Sequence, residues 1–447
     1  MRIAVISDSH LGYGPGERER DAMDSFREAL ERALDHDLIL LPGDIFDTKV
    51  PTPEVMSEAM RILNMPKASE GAALVDGFSK DMENVPHLTK RGLPVVSIHG
   101  THERRIKGLV NPLQALEKAG FLVHLHCNGV VLEKEGERVC IQGLSGVPDQ
   151  YAESVLSEWG PSPKDGCFNI FMLHQSIAGH VNATHVLHPD RLPKGFDLYI
   201  CGHMHEDKVS EAQGKPFLIP GSLIQTQLTK ESPKRRGFYS LLVEGGSLLE
   251  MKKVELEGQR PVHYLELDPD RELIDKEVSA IASGKHAKKP LVRVRLKGEM
   301  DSAATRELEG KFADSVILSF RKEPSKAGAP AAKGLEEQRL SVQELGRKLL
   351  QENLKKAGLD PRKYESVFEA LMDSGTQEAL ELLRKPPNNK YGQEENQEAN
   401  QEGPKEEARQ EEGAQKGQEE GKTGQEKSQA SQARQQESQG QEAEACF

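Results

Sequence analysis

Five times in the first 206 residues a short apolar run rich in β-branched residues stops at a cluster of Asp, His, Gly or Ser. The runs are RIAVISDSH (2–10), DLILLPGDIFD (37–47), LPVVSIHGTHE (93–103), FNIFMLHQS (168–176) and FDLYICGHMHE (196–206). Strands covered on both faces read as continuous apolar stretches, so each run predicts a buried strand followed by a loop. Helix-period patterns, AMDSFREALERAL (22–34) and PEVMSEAMRIL (53–63), lie between the first three. The alternation predicts an α/β fold with sheets inside and helices outside. In such folds ligands gather at the carboxyl ends of strands, where all these polar clusters fall.

A first domain over 1–255 would also take in KPFLIPGSLIQTQL (215–228) and the strand-like GFYSLLVE (237–244). Near Pro261 the pattern changes. HYLELDPDRELIDKEVSAIA, LVRVRL (291–296) and SVILSF (315–320) predict a small α+β domain over 256–322, a helix or two on a short sheet. EPSKAGAPAAKG suits a linker within 323–340. Over 341–384 a helix-loop-helix is expected. Ser341 and Glu344 form a capping-box pattern, Gly358 can end the first helix, and Asp360 with Pro361 suits the start of the second. The stripes Val342, Leu345, Leu349 and Tyr364, Val367, Phe368, Leu371 need a partner surface, and the preceding linker favours docking on another protein.

The tail, 385–447, has no Leu, Ile, Val, Met or Trp from Pro386 onward, so it cannot offset its conformational entropy by burial and is expected to be disordered. From Pro386 to Phe447, 14 Glu against 7 Lys plus Arg carry −7 of the chain's net −13. The rest is therefore only mildly acidic, which argues against a strongly basic nucleic-acid wrapper while leaving room for a local basic groove. Cys127, Cys140, Cys167, Cys201 and Cys446 contain no CxxC pair and are odd in number, which fits a reducing cytoplasm. Neither a signal peptide nor a membrane span is expected.

Singly, D-x-H, GD and GHMH are commonplace turn chemistry. Together, Asp8, His10, Asp44, His174, His203 and His205 are carboxylate and imidazole donors suited to Mn, Fe or Zn rather than Ca. They suffice for two ions with one bridging carboxylate. Two ions roughly 3.5–4 Å apart can clamp a phosphate, activate a water and stabilise a leaving oxygen, which predicts phosphoester hydrolysis.

In order, DSH, GD, GTHE, LHQ and GHMH resemble the signature of the calcineurin-like metallophosphoesterases, a β-sandwich flanked by helices. SDSHLGY (7–13), GDIFDTKVPTP (43–53) and PGSLIQTQL (220–228) resemble, within that superfamily, the DNA double-strand-break repair nucleases called SbcD in bacteria, which have archaeal and eukaryotic counterparts. The likeness covers residues 1 to about 250 well, the small domain loosely and the tail not at all. It implies Asp8, His10 and His205 on one metal, His174 and His203 on the other, Asp44 bridging, and His102 as a non-ligand catalytic histidine facing the scissile phosphate. Imidazole suits that role because it titrates near neutrality. Thr101 stands where the pattern has an asparagine ligand. Its hydroxyl could ligate weakly, act through water or leave a position open, so a looser second site is expected. Asp47 replaces a histidine of some members and is read as a turn residue in preference to a carboxylate orienting a ligand histidine. Glu103 is a variant that the signature permits.

Basic residues beside these loops, Lys49, Arg104, Arg105, Lys107, Lys230, Lys234, Arg235 and Arg236, are read as contacts to a DNA backbone. His180, His185 and His188 are read as incidental loop residues, and His124 and His126 as structural. The stretch at 65–84 is either a surface excursion or a lid. The resemblance further implies two Mn2+ ions, 3′-to-5′ duplex exonuclease and single-strand endonuclease action, a homodimer, and an SMC-like coiled-coil ATPase partner docked by 341–384. Two rival readings are a phosphatase or cyclic-nucleotide phosphodiesterase of the same superfamily, and a scaffold whose chemistry has weakened at Thr101.

Overall fold

The computed structural model describes residues 1–322 except 15, 84, 106–107 and 182–184, together with Gln351, Leu354 and Tyr364. The expected linker, helix-loop-helix and tail otherwise lie outside the described residues, as does Lys107.

Two sheets carry the main domain. One has six strands in the order Ser247–Glu255, Gly237–Glu244, Arg2–Val5, Leu38–Pro42, Val95–Ile98, Val123–His124. The other has seven, in the order Lys208–Ala212, Lys215–Ile219, Leu198–Cys201, Phe168–Leu173, Glu137–Leu144, Asn128–Lys134, Ala73–Asp76. Their inner faces share one core, to which Ile3, Val5, Leu38, Leu40, Val96 and Ile98 come from the first sheet and Ile141, Ile170, Met172 and Ile200 from the second. Alternate residues point the other way. Ala4, Ile6, Ile39 and Leu41 pack with Phe26, Leu30, Ile62 and Leu116 of helices Asp21–Arg32, Pro53–Leu63 and Pro112–Lys118. Phe171 and Leu173 pack with Val155 of helix Ala152–Trp159. The runs therefore lack polar alternation because both strand faces are covered, and each fully buried Leu or Ile contributes about 1.5–3 kcal/mol.

Arg2–Val5, Leu38–Pro42 and Val95–Ile98 are mutually parallel, as are Glu137–Leu144, Phe168–Leu173 and Leu198–Cys201. Parallel pairing puts the carboxyl ends of each set on one edge, and the loops that follow hold the polar clusters. Helix starts are fixed locally. Thr52 Oγ1 accepts from Val55 N at 3.4 Å ahead of Pro53, and Asn111 and Gln114 form a capping box around Pro112.

The stretch at 65–84 is a 3-10 turn, Met65–Ala68, and the edge strand Ala73–Asp76, which pairs antiparallel with Asn128–Lys134. It extends the sheet by one edge strand. Beyond Pro261 the content is as expected, helices on a short sheet, but the arrangement is not segregated. Strands Val262–Leu267, Leu291–Leu296 and Ile317–Lys322 are all parallel and alternate with helices Arg271–Ala282 and Ser302–Phe312, because parallel neighbours need a crossover and the helices supply it. This unit has its own core, including Ile274, Val278, Val292, Val294, Leu308 and Phe312. It is tied to the main domain by Arg260, whose Nε and Nη2 reach Asp21 at 2.7 and 3.0 Å, and by Lys288 on Asp24 at 2.9 Å.

Candidate metal centre

Four of the proposed ligands sit in backbone conformations that L-residues rarely adopt. Asp8, His10 and Asp44 each have φ 49°, and His203 has φ 77°. Each costs on the order of 1–3 kcal/mol and persists only where surrounding bonds fix it. Those bonds are present. Asp8 N donates to Gly43 O at 3.2 Å, His10 N to Asp44 O at 3.0 Å, Leu11 N to Ile45 O at 2.7 Å and Asp47 N to Leu11 O at 3.1 Å, so the DSH and GD loops run side by side. Asp8 Oδ1 accepts from His203 N at 3.0 Å and Asp44 Oδ1 from His102 N at 2.9 Å, tying the GHMH and GTHE loops to the same carboxylates. Gly43, at φ 96°, has no room for a side chain, since a Cβ there would meet Gly100 N at 2.9 Å and press still closer on His174 Nδ1.

The side chains form three overlapping groups able to hold a cation: Asp8, His10, His205; Asp44, His174, His203; and His10, Asp44, His102. The first two contain the ligand sets expected from the sequence, and the third links them, sharing His10 with the first and Asp44 with the second. His174 Nδ1 donates to the carbonyl of Pro42 at 2.8 Å, which leaves Nε2 facing Asp44 Oδ2 at 3.1 Å, fully buried and without hydrogen-bond geometry. His10 Nε2 and His205 Nε2 lie 3.1 Å apart. Lone pairs brought together in this way, beside buried carboxylates, become favourable when a shared cation sits among them, so the donor set fits divalent metal ions.

Electrostatics agree. Burial opposes ionisation of Asp44, but the His174 imidazole, with His10 and His102 nearby, holds its carboxyl far below the usual carboxylate range. Burial pushes Asp8 up to about 6, with His174 pulling against it and Asp44 adding to it. Burial also works against a charged His174, yet Asp44 and Asp8 raise it to about 9, so a proton there does part of what a cation would do. Burial, helped by neighbouring imidazoles, lowers His203 to about 4 and His205 to about 3, leaving both as neutral rings with a lone pair to give.

Outer residues fix these rings. Asp47 is more than a turn residue. Its Oδ1 lies 3.2 Å from His10 Nδ1, and its backbone carbonyl accepts from His102 Nδ1 at 2.9 Å. A carbonyl can only accept, so Nδ1 of His102 carries the proton and Nε2 is left with its lone pair on a ring 42% exposed. Thr226 Oγ1 meets His205 Nδ1 at 2.6 Å and Ser176 Oγ meets His203 Nε2 at 3.2 Å. Glu103 is fully buried, and its two oxygens accept from Phe46 N at 2.7 Å and Gly100 N at 2.8 Å, clamping two site loops together. Burial and the Asp44 charge push it up to about 8. Thr101 Oγ1 stands 3.4 Å from Asp44 Oδ2, beside the group of His174 and His203 but a long contact.

Sequence reasoning passed over His99. Its Nδ1 meets His124 Nε2 at 2.9 Å and its ring stacks on His124, with centroids 5.1 Å apart, under the GTHE loop. His124 is thus structural, as expected, and His126 joins it 5.4 Å from His99. His185 and His188 are exposed, His180 packs near Phe217, and none joins a metal group among the described residues.

The basic residues divide. Arg236 is not available to DNA. It is 5% exposed and donates to His205 O, Glu206 Oε1 and Gln225 Oε1, bracing the GHMH loop from behind. Lys230 pairs with Glu266 at 2.7 Å, Lys234 with Glu231, and Arg105 donates to Val110 O at 3.2 Å. Lys49 and Arg235 are exposed and Arg104 is half-buried.

Residues 1–207 match the family described as calcineurin-like phosphoesterase, and over that stretch the chain is similar to it. Curated relatives narrow the likeness to break repair. The chain is 27% identical over 295 residues to "DNA double-strand break repair protein Mre11" of Methanopyrus kandleri, covering 61% of this chain and 60% of that one. It is 30% identical over 319 residues to "Double-strand break repair protein mre-11" of Caenorhabditis elegans, covering 62% and 43%, and 25% identical over 415 residues to the Arabidopsis thaliana protein MRE11, covering 77% and 57%. Homologues so named thus occur in archaea and eukaryotes, and the chain spans about half the length of the curated relatives it matches. No helix among the described residues is long and apolar enough to cross a membrane.

Proposed function

We propose that the protein is a manganese-dependent DNA nuclease acting at double-strand breaks, with 3′-to-5′ exonuclease action on duplex ends and endonuclease action on single strands. The observation that carries the hydrolytic reading is the pair of cation-binding groups linked by the contact between His10 and Asp44, and the break-repair relatives suggest DNA as substrate. Asp8, His10 and His205 would hold one ion, His174 and His203 the other, with Asp44 between them and Thr101 a weak contributor to the second. Bound there, the ions would supply positive charge to the phosphate oxygens and make water a stronger nucleophile near neutral pH.

The rest of the reaction falls to side chains. His102, with its Nδ1 proton held on the Asp47 carbonyl, can take a proton at Nε2 and return it to the departing oxygen. Asp47 keeps His10 and His102 in register by facing both rings. Among the described residues named from the sequence, Lys49, Arg104 and Arg235 would steer a DNA backbone towards the site. Assembly as a homodimer with an SMC-like coiled-coil ATPase docked on 341–384, in the cytoplasm, completes the proposal.

The test is cleavage of an end-labelled duplex and a single-stranded circle in manganese by the unaltered chain, His102→Ser and Thr101→Asn, with bound metal counted in each. The unaltered chain should cut both, and His102→Ser should lose on the order of 100-fold or more while keeping its metal. Thr101→Asn should bind the second ion more tightly, because an amide oxygen reaches further than a hydroxyl. Hydrolysis of p-nitrophenyl phosphate with no cutting of DNA would instead make the protein a phosphatase. Cutting that appears only in Thr101→Asn would make the natural chain a scaffold.

A further inference from the structure

The small parallel sheet covers one face with its helices and turns the other towards the main domain. Val292, Val294 and Leu296 lie in the helix-side core, so Arg293 and Arg295 project from the opposite face. Arg321 stands in register with Arg295. Arg295 has Glu266 at 3.0 Å. Among the described residues, neither Arg293 nor Arg321 faces a carboxylate. Arg293 Nη1 makes a long bond to Phe320 O at 3.5 Å, and its Nε is buried with no partner.

Both arginines line a cavity of about 440 Å³, together with Tyr13, Arg18, Thr226 and Thr229. Arg18 lies over the Tyr13 ring at 5.1 Å, has Asp21 3.8 Å from its Nε and donates through Nη2 to Gln225 O. The wall towards the metal centre is Thr226, whose hydroxyl meets His205 Nδ1 at 2.6 Å and whose carbonyl accepts from Tyr13 Oη at 2.6 Å. Burial and then the charge of Arg321 make Arg293 a poorer cation than a free guanidinium. Like charges held together in a half-buried cavity are unfavourable until an anion lies between them.

We propose that this cavity is a binding site for a phosphomonoester. Two guanidiniums without counter-charges match the two charges of a monoester dianion, whereas a backbone diester carries one. The cavity is large enough for a mononucleotide, and its wall is one side chain from a proposed metal ligand. A released nucleotide or a phosphorylated strand end therefore has its phosphate held beside the reacting centre. The DNA-cutting reading supplies the source of the phosphate, but the anion site stands on the arginines alone.

The test is calorimetric titration of the full chain, in chelator so that no metal contributes, with deoxyadenosine monophosphate, inorganic phosphate and deoxyadenosine. The nucleotide and phosphate should bind and the nucleoside should not. Arg321→Gln, on an exposed side chain that the fold does not need, should weaken both by about tenfold or more, and Arg321→Lys should recover part of the loss. Failure of the nucleotide to bind, or equal binding by Arg321→Gln, would overturn the site.

Cleavage of duplexes ending in phosphate or hydroxyl then separates the sources. A KM advantage for phosphate ends that disappears in Arg321→Gln assigns the strand end. Equal KM values with inhibition by the nucleotide that Arg321→Gln relieves assign the product. A chain that cuts no DNA but still loses nucleotide binding in Arg321→Gln would defeat the nuclease reading and leave the cavity standing.

Discussion

Asp44→Asn is expected to fold normally and to lose metal-dependent phosphodiester hydrolysis by on the order of a thousandfold, equivalent to about 4 kcal/mol of transition-state stabilisation. Asp44 belongs to the His174–His203 group and, in the group with His102, stands beside His10 of the other, so one substitution bears on both proposed metal positions. An amide keeps one oxygen to accept from His102 N but removes the charge that balances His174 and the ions. Without metal, the variant should stay close to the natural chain in stability, because the lost pairing with His174 is offset by relieving buried Asp8 and Glu103 of a like charge. Melting in chelator and hydrolysis in manganese check the two halves separately. Retained activity at the natural level would remove Asp44 from the site.

Gly100→Ala is expected to be the most damaging change of a single methyl group. A Cβ at this position would stand on Asp44 Oδ1 and 2.5 Å from Asp44 N, with no flexible side chain to give way. The same backbone carries the N–H that Glu103 accepts at 2.8 Å. Overpacking a rigid site costs about 1–3 kcal/mol and here would be relieved by moving Asp44. The variant should therefore melt earlier, by an amount set by that cost, and bind no metal at the natural affinity. Circular dichroism with a metal titration measures both, and metal binding unchanged from the natural chain would show that the GD and GTHE loops are not packed as described.

Much of this was legible in the sequence because it rests on local periodicity. GFYSLLVE and LVRVRL coincide with strands Gly237–Glu244 and Leu291–Leu296, and the five apolar runs end where the site loops begin. The clustering of the candidate residues was legible because parallel strands deliver their carboxyl ends to one edge, so order along the chain translates into proximity. What depends on packing between distant segments was hidden. A KRR run reads as a charged surface, yet Arg236 turns inward to His205 O, a contact set by the fold across 31 residues of chain. Asp47 looks like a turn residue until the loop conformation aims it at His10. The edge strand Ala73–Asp76 has too few residues to show a period, and the parallel order of the small sheet appears only in its ladders.

The central claim is that two cation positions share Asp44. The most direct measurement is the number of manganese ions bound per chain by equilibrium dialysis, for the natural protein, His10→Gln and His174→Gln. Two ions for the natural chain, the second weaker, with each variant losing a different one, is the predicted result. One ion or none in the natural chain, or the same ion lost from both variants, would contradict it.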